Sequence, residues 1–249
     1  MGISDFFAEM KDKASTALVE ISGGGQLSVK AYSFNTRTAE VTMIRGGAIE
    51  KAVIMHMQSK GEATGAGDPV TAFVYQMEIF PVNPHCPMGH FNTEGSLKGP
   101  GPFNMNLDLF PAVSIDADLT AVRQTMDRVA DKFGRDRDKL RQGLDVQYNM
   151  THWDSPLAAM VGCKLMELNE NELELFIDAY RTFFEAYIEV LKKRKDEPYT
   201  PANVRRKLER NGKWLEYVTL KDGAIKAAQA KGWPPELLID QGFPPVAAF

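Results

Sequence analysis

Short runs between Phe73 and Asp108 alternate between apolar and polar residues, and this alternation constrains the fold more than any other feature of the chain. Successive side chains of a β-strand point to opposite faces, so a period of two predicts a strand with one apolar and one polar face. Each predicted strand therefore carries a polar row. The rows are Gln76 and Glu78 in the first strand, His90, Asn92 and Glu94 in the second, and Asn104, Asn106 and Asp108 in the third.

The composition of these rows bears on two interpretations. An antiparallel sheet often has one face in solvent, so a polar face can simply be hydrated. Hydrated faces usually carry Lys, Thr and Arg, whereas these rows carry amides, carboxylates and an imidazole, which form hydrogen bonds and titrate at short range. Converging polar groups of this kind are typical of a ligand site. We therefore favour a functional cavity floor over a solvated outer face.

Strands follow one another along the first half of the chain rather than alternating with helices. Apolar residues at every second position predict two strands between Ser28 and Met57, joined by a turn at Gly46-Gly47. A loop is expected from Ser59 to Pro69, and the prolines between Pro81 and Pro87 exclude regular strand pairing there. Consecutive strands indicate an α+β fold, in which helices pack on a large antiparallel sheet.

Helices are predicted from apolar residues that recur every three or four positions and from capping residues. The longest is expected from Glu170 to about Lys195, with Asn169 as its cap and Glu172 completing a capping box. The same signals predict helices from Ser4 to Gly23, Leu119 to Phe133, Arg135 to Tyr148 and Thr200 to Gly212, then a strand from Trp214 to Leu220 and a turn at Asp222-Gly223.

Composition excludes several classes of protein. The chain has 249 residues without a break in composition, which predicts a single domain over residues 1–249. A net charge of −4 gives no reason to expect a nucleic-acid or anionic-membrane partner. The two cysteines lack the spacing of a zinc site or a disulfide framework, which favours a reducing cytoplasm. The N-terminal residues predict neither a secretory signal nor membrane insertion.

The segment from Asn83 to Asn92 reads Asn-Pro-His-Cys-Pro-Met-Gly-His-Phe-Asn. It resembles the Asn-Pro-His-x-Pro-x-x-His-x-Asn pattern of the oxygen-dependent coproporphyrinogen III oxidase family. The stretches Gly46–Ala52, Arg210–Tyr217 and Glu236–Pro245 also resemble that family, in the same order and at similar spacing. The resemblance covers most of the chain.

This resemblance implies a large flat antiparallel sheet flanked by helices, a homodimer, and an oxidoreductase of haem biosynthesis. Members of the family convert two propionates of coproporphyrinogen III to vinyl groups, using dioxygen as co-substrate and no metal or organic cofactor. It further implies that His90 and Asn92 line the site, with His90 moving a proton. Asp108 matches a family carboxylate that meets the pyrrole N–H groups of the macrocycle.

The sequence departs from the family where the substrate carboxylates would be bound. Glu94 occupies a position at which the family has Arg, and the family's Arg-Arg-Gly motif has no counterpart near Leu157–Gly162. Losing guanidinium partners for carboxylates weakens binding of an unchanged substrate. Arg45, Lys51 and Lys98 are candidates to supply the missing positive charge, although each can equally be a solvated surface residue.

Two other functions remain open at this point. A non-catalytic tetrapyrrole or haem carrier on the same fold would use His85 or His90 as the axial ligand, with Cys86 as another option. A metal site on the sheet would draw on neighbouring strands, from His56, Glu78, His90, Glu94 and Asp108. The substrate-binding residues that we expect are Gln76, His85, Asn92, Glu94, Arg45 and Lys51.

Overall fold

The computed structural model describes residues 2–63, 69–96 and 103–249. In this part of the chain a single sheet has the strand order β1-β2-β3-β4-β5-β6-β7, and every neighbouring pair is antiparallel. The strands are β1 (Gln26–Phe34), β2 (Arg37–Gly46), β3 (Ile49–Ala63), β4 (Pro69–Pro81), β5 (Met88–Ser96), β6 (Phe103–Phe110) and β7 (Cys163–Leu168).

The helices are α1 (Ile3–Ser22), α2 (Asp116–Lys132), α3 (Leu144–Gln147), α4 (Leu173–Arg194), α5 (Pro201–Leu220), α6 (Gly223–Ala230) and α7 (Pro235–Gly242). The α+β fold with a large antiparallel sheet flanked by helices is therefore confirmed. That the chain forms one domain over residues 1–249 stays a prediction.

Helices α1, α2 and α4 cover one face of the sheet. The aromatic residues of α4 are buried against it, and Phe7 of α1 stacks on Tyr75 of β4 with ring centroids 4.4 Å apart. Burial of each large apolar side chain stabilises the fold by roughly 1.5–3 kcal/mol. The capping box predicted before α4 is present, since Asn169 N donates to Glu172 Oε2 over 3.0 Å.

Helices α5, α6 and α7 cover the opposite face, with Trp214 and Ile225 packed beside Phe110 of β6. This is the face that carries the predicted polar rows. In the observed register Glu78 lies opposite His90, and His90 lies opposite Asp108. Farther along the strands the polar pairs are Gln76–Asn92, Asn92–Asn106 and Glu94–Asn104. The rows thus lie side by side beneath helices rather than on an outer face.

The predicted strand from Trp214 to Leu220 is wrong, because these residues continue α5. The buried residues Trp214, Tyr217 and Val218 are spaced three and one apart, as on one helix face. Gly212 does not end the helix either. A Cβ atom there would lie 1.9 Å from the carbonyl oxygen of Ala248, so this glycine allows the C-terminal segment to approach α5.

Other local predictions also need correction. Asp222-Gly223 is the start of α6 rather than a turn, because the Asp222 carboxylate accepts the N–H of Ile225 at 2.8 Å. The predicted helix from Arg135 to Tyr148 is reduced to a 3₁₀ turn and the short α3, separated by Gly143 at φ 87°. Strand β7 was not predicted. The loop from Ser59 to Pro69 is shorter than expected, since β3 extends to Ala63, and residues 64–68 lie outside the described residues.

Lys51 holds helix α7 on the sheet. Its side chain is only 2% exposed, and its Nζ donates to the carbonyl oxygens of Ile239 at 3.0 Å and Phe243 at 2.6 Å. A cation at the C-terminal end of a helix meets carbonyl groups that lack partners within the helix. The expected substrate contact of Lys51 is therefore replaced by a structural one.

This anchor predicts a pH dependence of stability. Burial lowers the pKa of Lys51 to about 8 from an ordinary value of 10.5, so the folded protein releases this proton before the unfolded chain does. Between these pH values the unfolded chain binds more protons, and the free energy of unfolding rises with pH. The stability of wild type relative to Lys51→Met should therefore increase from about pH 8 to about pH 10.5.

Urea unfolding at several pH values measures this difference. Lys226→Met, on the exposed side of α6, is the control and should follow wild type across the range. Parallel stability curves for wild type and Lys51→Met would contradict the assignment.

Candidate functional site

A cavity of about 70 Å³ lies between the polar face of the sheet and helices α5 to α7. Its floor is formed by strands β3 to β5 and includes Gln76, His90, Asn92 and Glu94. The opposite wall comes from the helices and the segments beside them: Gln147, Tyr148, Trp214, Val218, Asp222, Ala224, Ile225, Trp233, Gln241 and Gly242.

His90 forms a hydrogen bond through each ring nitrogen. Its Nδ1 lies 2.7 Å from Glu78 Oε1, and its Nε2 lies 2.7 Å from the Tyr148 hydroxyl oxygen. Glu78 Oε1 also accepts from Gln76 Nε2 at 2.8 Å, and the Tyr148 oxygen accepts from Gln147 Nε2 at 3.1 Å. These five residues form a continuous hydrogen-bonded relay, with His90 at its centre.

The environment of the relay assigns its protons. Burial raises the pKa of Tyr148 well above its usual value, so its hydroxyl stays protonated and donates to His90 Nε2. His90 then carries its proton on Nδ1 and donates it toward Glu78. Burial also raises the pKa of the Glu78 carboxyl, whereas its bonds to His90 and Gln76 favour the carboxylate. The relay therefore places the imidazole between a phenol and a buried acid.

Aromatic rings fix the orientation of the His90 imidazole. The ring of Phe110 stacks on it with centroids 5.6 Å apart and an interplanar angle of 17°. Trp214 and Tyr148 complete the enclosure at centroid distances of 5.3 and 5.1 Å. His90 is only 4% exposed, so its hydrogen bonds lie in an environment of low dielectric constant.

The cavity has an acidic character. Glu94 and Asp222 line it, and its described lining contains no Lys or Arg. Glu94 accepts a hydrogen bond from Asn104 Nδ2 at 3.2 Å, and Asp222 caps α6. Such a surface favours ligands that offer N–H donors and disfavours ligand carboxylates.

Asp108 lies outside this cavity, contrary to the expectation that it meets a macrocycle. It is fully buried, and its carboxylate accepts the backbone N–H groups of Met160 at 2.9 Å and of Val161 and Gly162 at 3.0 Å. Burial raises the pKa of Asp108, while these backbone donors oppose the rise. It lies opposite His90 in the sheet, but the segment leading into β7 covers it. The carboxylate anchors that segment to β6.

His85 and Arg45 also lie outside the cavity. His85 lies in the proline-rich segment between Pro81 and Pro87, and its Nδ1 is 3.5 Å from Glu197 Oε2. Arg45 is exposed and its Nε contacts Met43 Sδ at 3.1 Å. Lys98 lies outside the described residues. Among the expected binding residues, the structure thus brings together His90, Gln76, Asn92 and Glu94.

Several residues of the site were not predicted as catalytic or substrate-binding residues. Glu78 belonged to a predicted polar row, and its alternation with Gln76 was the available signal. Tyr148 and Trp214 come from distant elements whose secondary structure was predicted incorrectly. No local pattern marks Asp222 or Gln241 as cavity residues.

The metal site considered above is not formed. His56 shares a face of β3 with Ile54, which packs against the core beneath α1 and α4, so it lies on the opposite side of the sheet from His90. Among the described residues, no three His, Cys, Asp or Glu side chains are placed to hold one metal ion.

Comparison with a solved structure supports the fold. The SeMet-phytochromobilin synthase from tomato, solved in complex with biliverdin, matches with a TM-score of 0.57 at 11% identity. The match covers 88% of this chain and 76% of that chain. No helix among the described residues is both long and apolar enough to cross a membrane.

Sequence comparisons identify relatives. Oxygen-dependent coproporphyrinogen-III oxidases of Coxiella burnetii, from strains RSA 331 and RSA 493, are each 24% identical over 196 residues. The match covers 72% of this chain and 63% of the relative, so the chain spans less than two thirds of their length. The model of the family described as coproporphyrinogen III oxidase matches residues 7–232. The chain therefore belongs to the coproporphyrinogen III oxidase family.

Proposed function

We propose that this protein oxidatively decarboxylates propionate side chains of coproporphyrinogen III or a related porphyrinogen, with dioxygen as the oxidant and no metal or organic cofactor. The observation that carries the proposal is the position of His90. The histidine of the family motif lies at the cavity floor and is held by a buried acid and a phenol. Family membership supports the same activity.

The chemistry requires one proton for each propionate. The side chain –CH₂–CH₂–COO⁻, together with dioxygen and one proton, gives a vinyl group, carbon dioxide and hydrogen peroxide. The two electrons released by the substrate reduce the dioxygen. His90, with Tyr148 on one nitrogen and Glu78 on the other, is suited to accept and return a proton during these steps. General acid–base catalysis of this kind contributes typically 10²–10⁴-fold to a rate.

The acidic lining complements the centre of a porphyrinogen rather than its edge. The macrocycle has four pyrrole N–H donors, and the carboxylates of Glu94 and Asp222 are acceptors that form strong charge-assisted hydrogen bonds. Asn92 and Gln76 add neutral hydrogen-bonding groups on the floor. In this assignment Glu94 and Asp222 take the role expected of Asp108, whose carboxylate is occupied by backbone N–H groups.

The size of the cavity places a condition on binding. Sites for small organic ligands usually enclose ~300–1,000 Å³. The cavity beneath α5 to α7 encloses about 70 Å³, so a tetrapyrrole enters only if these helices move away from the sheet. The contacts that hold these helices on the sheet include two hydrogen bonds, both donated by Lys51 Nζ to carbonyl oxygens at the end of α7.

We also propose that the protein is a cytoplasmic homodimer. The apolar residues of α4, which suggested an assembly surface, are buried within the chain and no longer support it. Exposed Leu27 and Val29 on β1 offer an apolar edge instead. Sedimentation equilibrium at micromolar concentration should give about twice the chain mass of 27.7 kDa, and a single species at 27.7 kDa would contradict the dimer.

The proposed cytoplasmic location is supported by the two cysteines. Cys86 and Cys163 are free buried thiols, which fits a reducing compartment.

Replacing His90 tests the activity directly. Wild type is incubated with coproporphyrinogen III in air, and vinyl products, carbon dioxide and oxygen uptake are measured. His90→Asn removes the proton acceptor and should lower kcat by about 10²-fold or more. Tyr148→Phe removes one hydrogen bond to His90, worth roughly 1 kcal/mol, and should lower kcat by about fivefold.

The matched control is His152→Asn, since His152 lies outside the cavity lining and pairs with Glu216 at 2.7 Å. Thermal melting confirms that each variant is folded. Absence of wild-type turnover, together with tight binding of the porphyrinogen, would overturn the oxidase proposal in favour of a tetrapyrrole carrier. Equal turnover by wild type and His90→Asn would remove His90 from the mechanism.

A further inference from the structure

A second cavity lies beside α5 and shares no described lining residue with the His90 cavity. It is an open groove of about 460 Å³ between the segment after β6, residues 155–159 and one face of α5. Arg206, Arg210 and Lys213 line it from α5. Residues spaced three and four apart share one face of a helix, so the three cations line the groove together. We call this cavity the α5 groove.

Arg210 is the central residue of the α5 groove. It is 4% exposed; its Nη1 donates to the carbonyl oxygen of Phe110 at 2.6 Å and its Nε to Asn211 Oδ1 at 3.1 Å. Its Nη2 is buried and has no hydrogen-bond partner among the described residues. Buried donors of charged groups are almost always satisfied, because an unmet one costs roughly 1–3 kcal/mol or more. No carboxylate of the described residues bonds to Arg210, so its buried charge adds to the positive potential of the groove wall.

The charge balance of the groove favours an anion. Glu209 is the acidic residue in its described lining, and the Glu209 carboxylate accepts from Arg205 Nε at 2.9 Å. Lys213 lies over the ring of Trp153, with Nζ 5.4 Å from the ring centroid. Neither Arg206 nor Lys213 forms an ion pair with any residue in the described part of the chain. The groove thus has an excess of positive charge, in contrast to the acidic cavity at His90.

The remaining walls are suited to a hydrocarbon chain. They are mostly apolar, with hydroxyl groups at Ser114 and Ser155, and comprise Pro111, Ala112, Leu119, Pro156, Leu157, Ala158 and Ala159. A guanidinium binds carboxylates through parallel N–H bonds. Apolar walls beside it accommodate the methylene groups of an alkyl carboxylate. We propose that the α5 groove binds the carboxylate of an aliphatic organic acid, with Arg206 and Lys213 as its direct contacts and the positive charge of the buried Arg210 behind them.

The carboxylate can come from the substrate or from a separate acid. Phe110 contacts one lining residue of each cavity, because its ring stacks on His90 and its carbonyl oxygen accepts from Arg210. A propionate that extends from a macrocycle bound near His90 is one source, and this assignment rests on the proposed function. A free small dicarboxylic acid is the other source, and binding of it is independent of that function.

Titration of the protein with succinate tests the groove. Arg206→Gln/Lys213→Gln removes two of its charges without breaking the Arg210 bond to Phe110, which preserves folding. Loss of two charge-assisted contacts should weaken succinate binding about tenfold or more in calorimetry. Arg123→Gln, an exposed arginine of α2 outside the groove, is the matched control and should bind as wild type does. Succinamide, which has the same length but no charge, should not bind.

The same variants distinguish the two sources. If the groove holds a substrate propionate, succinate competes with coproporphyrinogen III, and the double variant raises KM more than it lowers kcat. If it holds a separate acid, succinate binds wild type without changing KM. Absence of succinate binding to wild type, or equal affinity in the double variant and Arg123→Gln, overturns the proposal. The calorimetric result does not depend on turnover, so failure of the oxidase proposal leaves it interpretable.

Discussion

The site depends on a buried imidazole that has a partner for each of its nitrogens. An imidazole removed from water is costly unless both nitrogens form hydrogen bonds. His90 of β5 obtains them from Glu78 of the neighbouring strand and from Tyr148, which follows α3. The rings of Phe110 and Trp214 then enclose it from β6 and α5. His90 forms all of these contacts only when the sheet register, the α3 segment and α5 are in place together.

The two cavities differ in charge, and Phe110 contacts one lining residue of each. The His90 cavity contains carboxylates and no cation in its described lining, whereas the α5 groove contains cations around a buried guanidinium. Arg210 has no carboxylate bonded to it, and burial lowers its pKa to about 10, so it remains charged at neutral pH. A porphyrinogen has N–H donors at its centre and carboxylates at its edge. Under the proposed function, the acidic cavity would face those N–H donors and the basic groove would face a carboxylate.

Features set by neighbouring residues could be predicted from the sequence. The period of two between Phe73 and Asp108 predicted the strands and the polar face, and capping signals predicted the start of α4 and α5. That alternation also predicted the polar residues of the floor, because the register of neighbouring strands brings them together. They are Gln76, His90, Asn92 and Glu94. The family resemblance identified His90 as the central residue.

Features set by contacts between distant segments could not be predicted. The run from Trp214 to Leu220 is too short for its apolar pattern to separate strand from helix, and only the packing of α5 decides between them. Lys51 was assigned to substrate for its charge and Asp108 for its match to a family carboxylate. Each instead bonds to backbone groups of a segment far along the chain. Tyr148 directly follows α3, a helix of four residues that is too short to show a periodic pattern.

The most direct test of the account is the ¹⁵N NMR spectrum of the histidine rings, recorded with and without coproporphyrinogen III in the absence of oxygen. If Tyr148 donates to Nε2 as its protonated hydroxyl allows, free His90 should carry a proton on Nδ1 and none on Nε2. The account also predicts that substrate shifts the His90 ring resonances while those of His152 stay unchanged. A proton on Nε2 in the free protein, or an unshifted His90 when the porphyrinogen is bound, would contradict it.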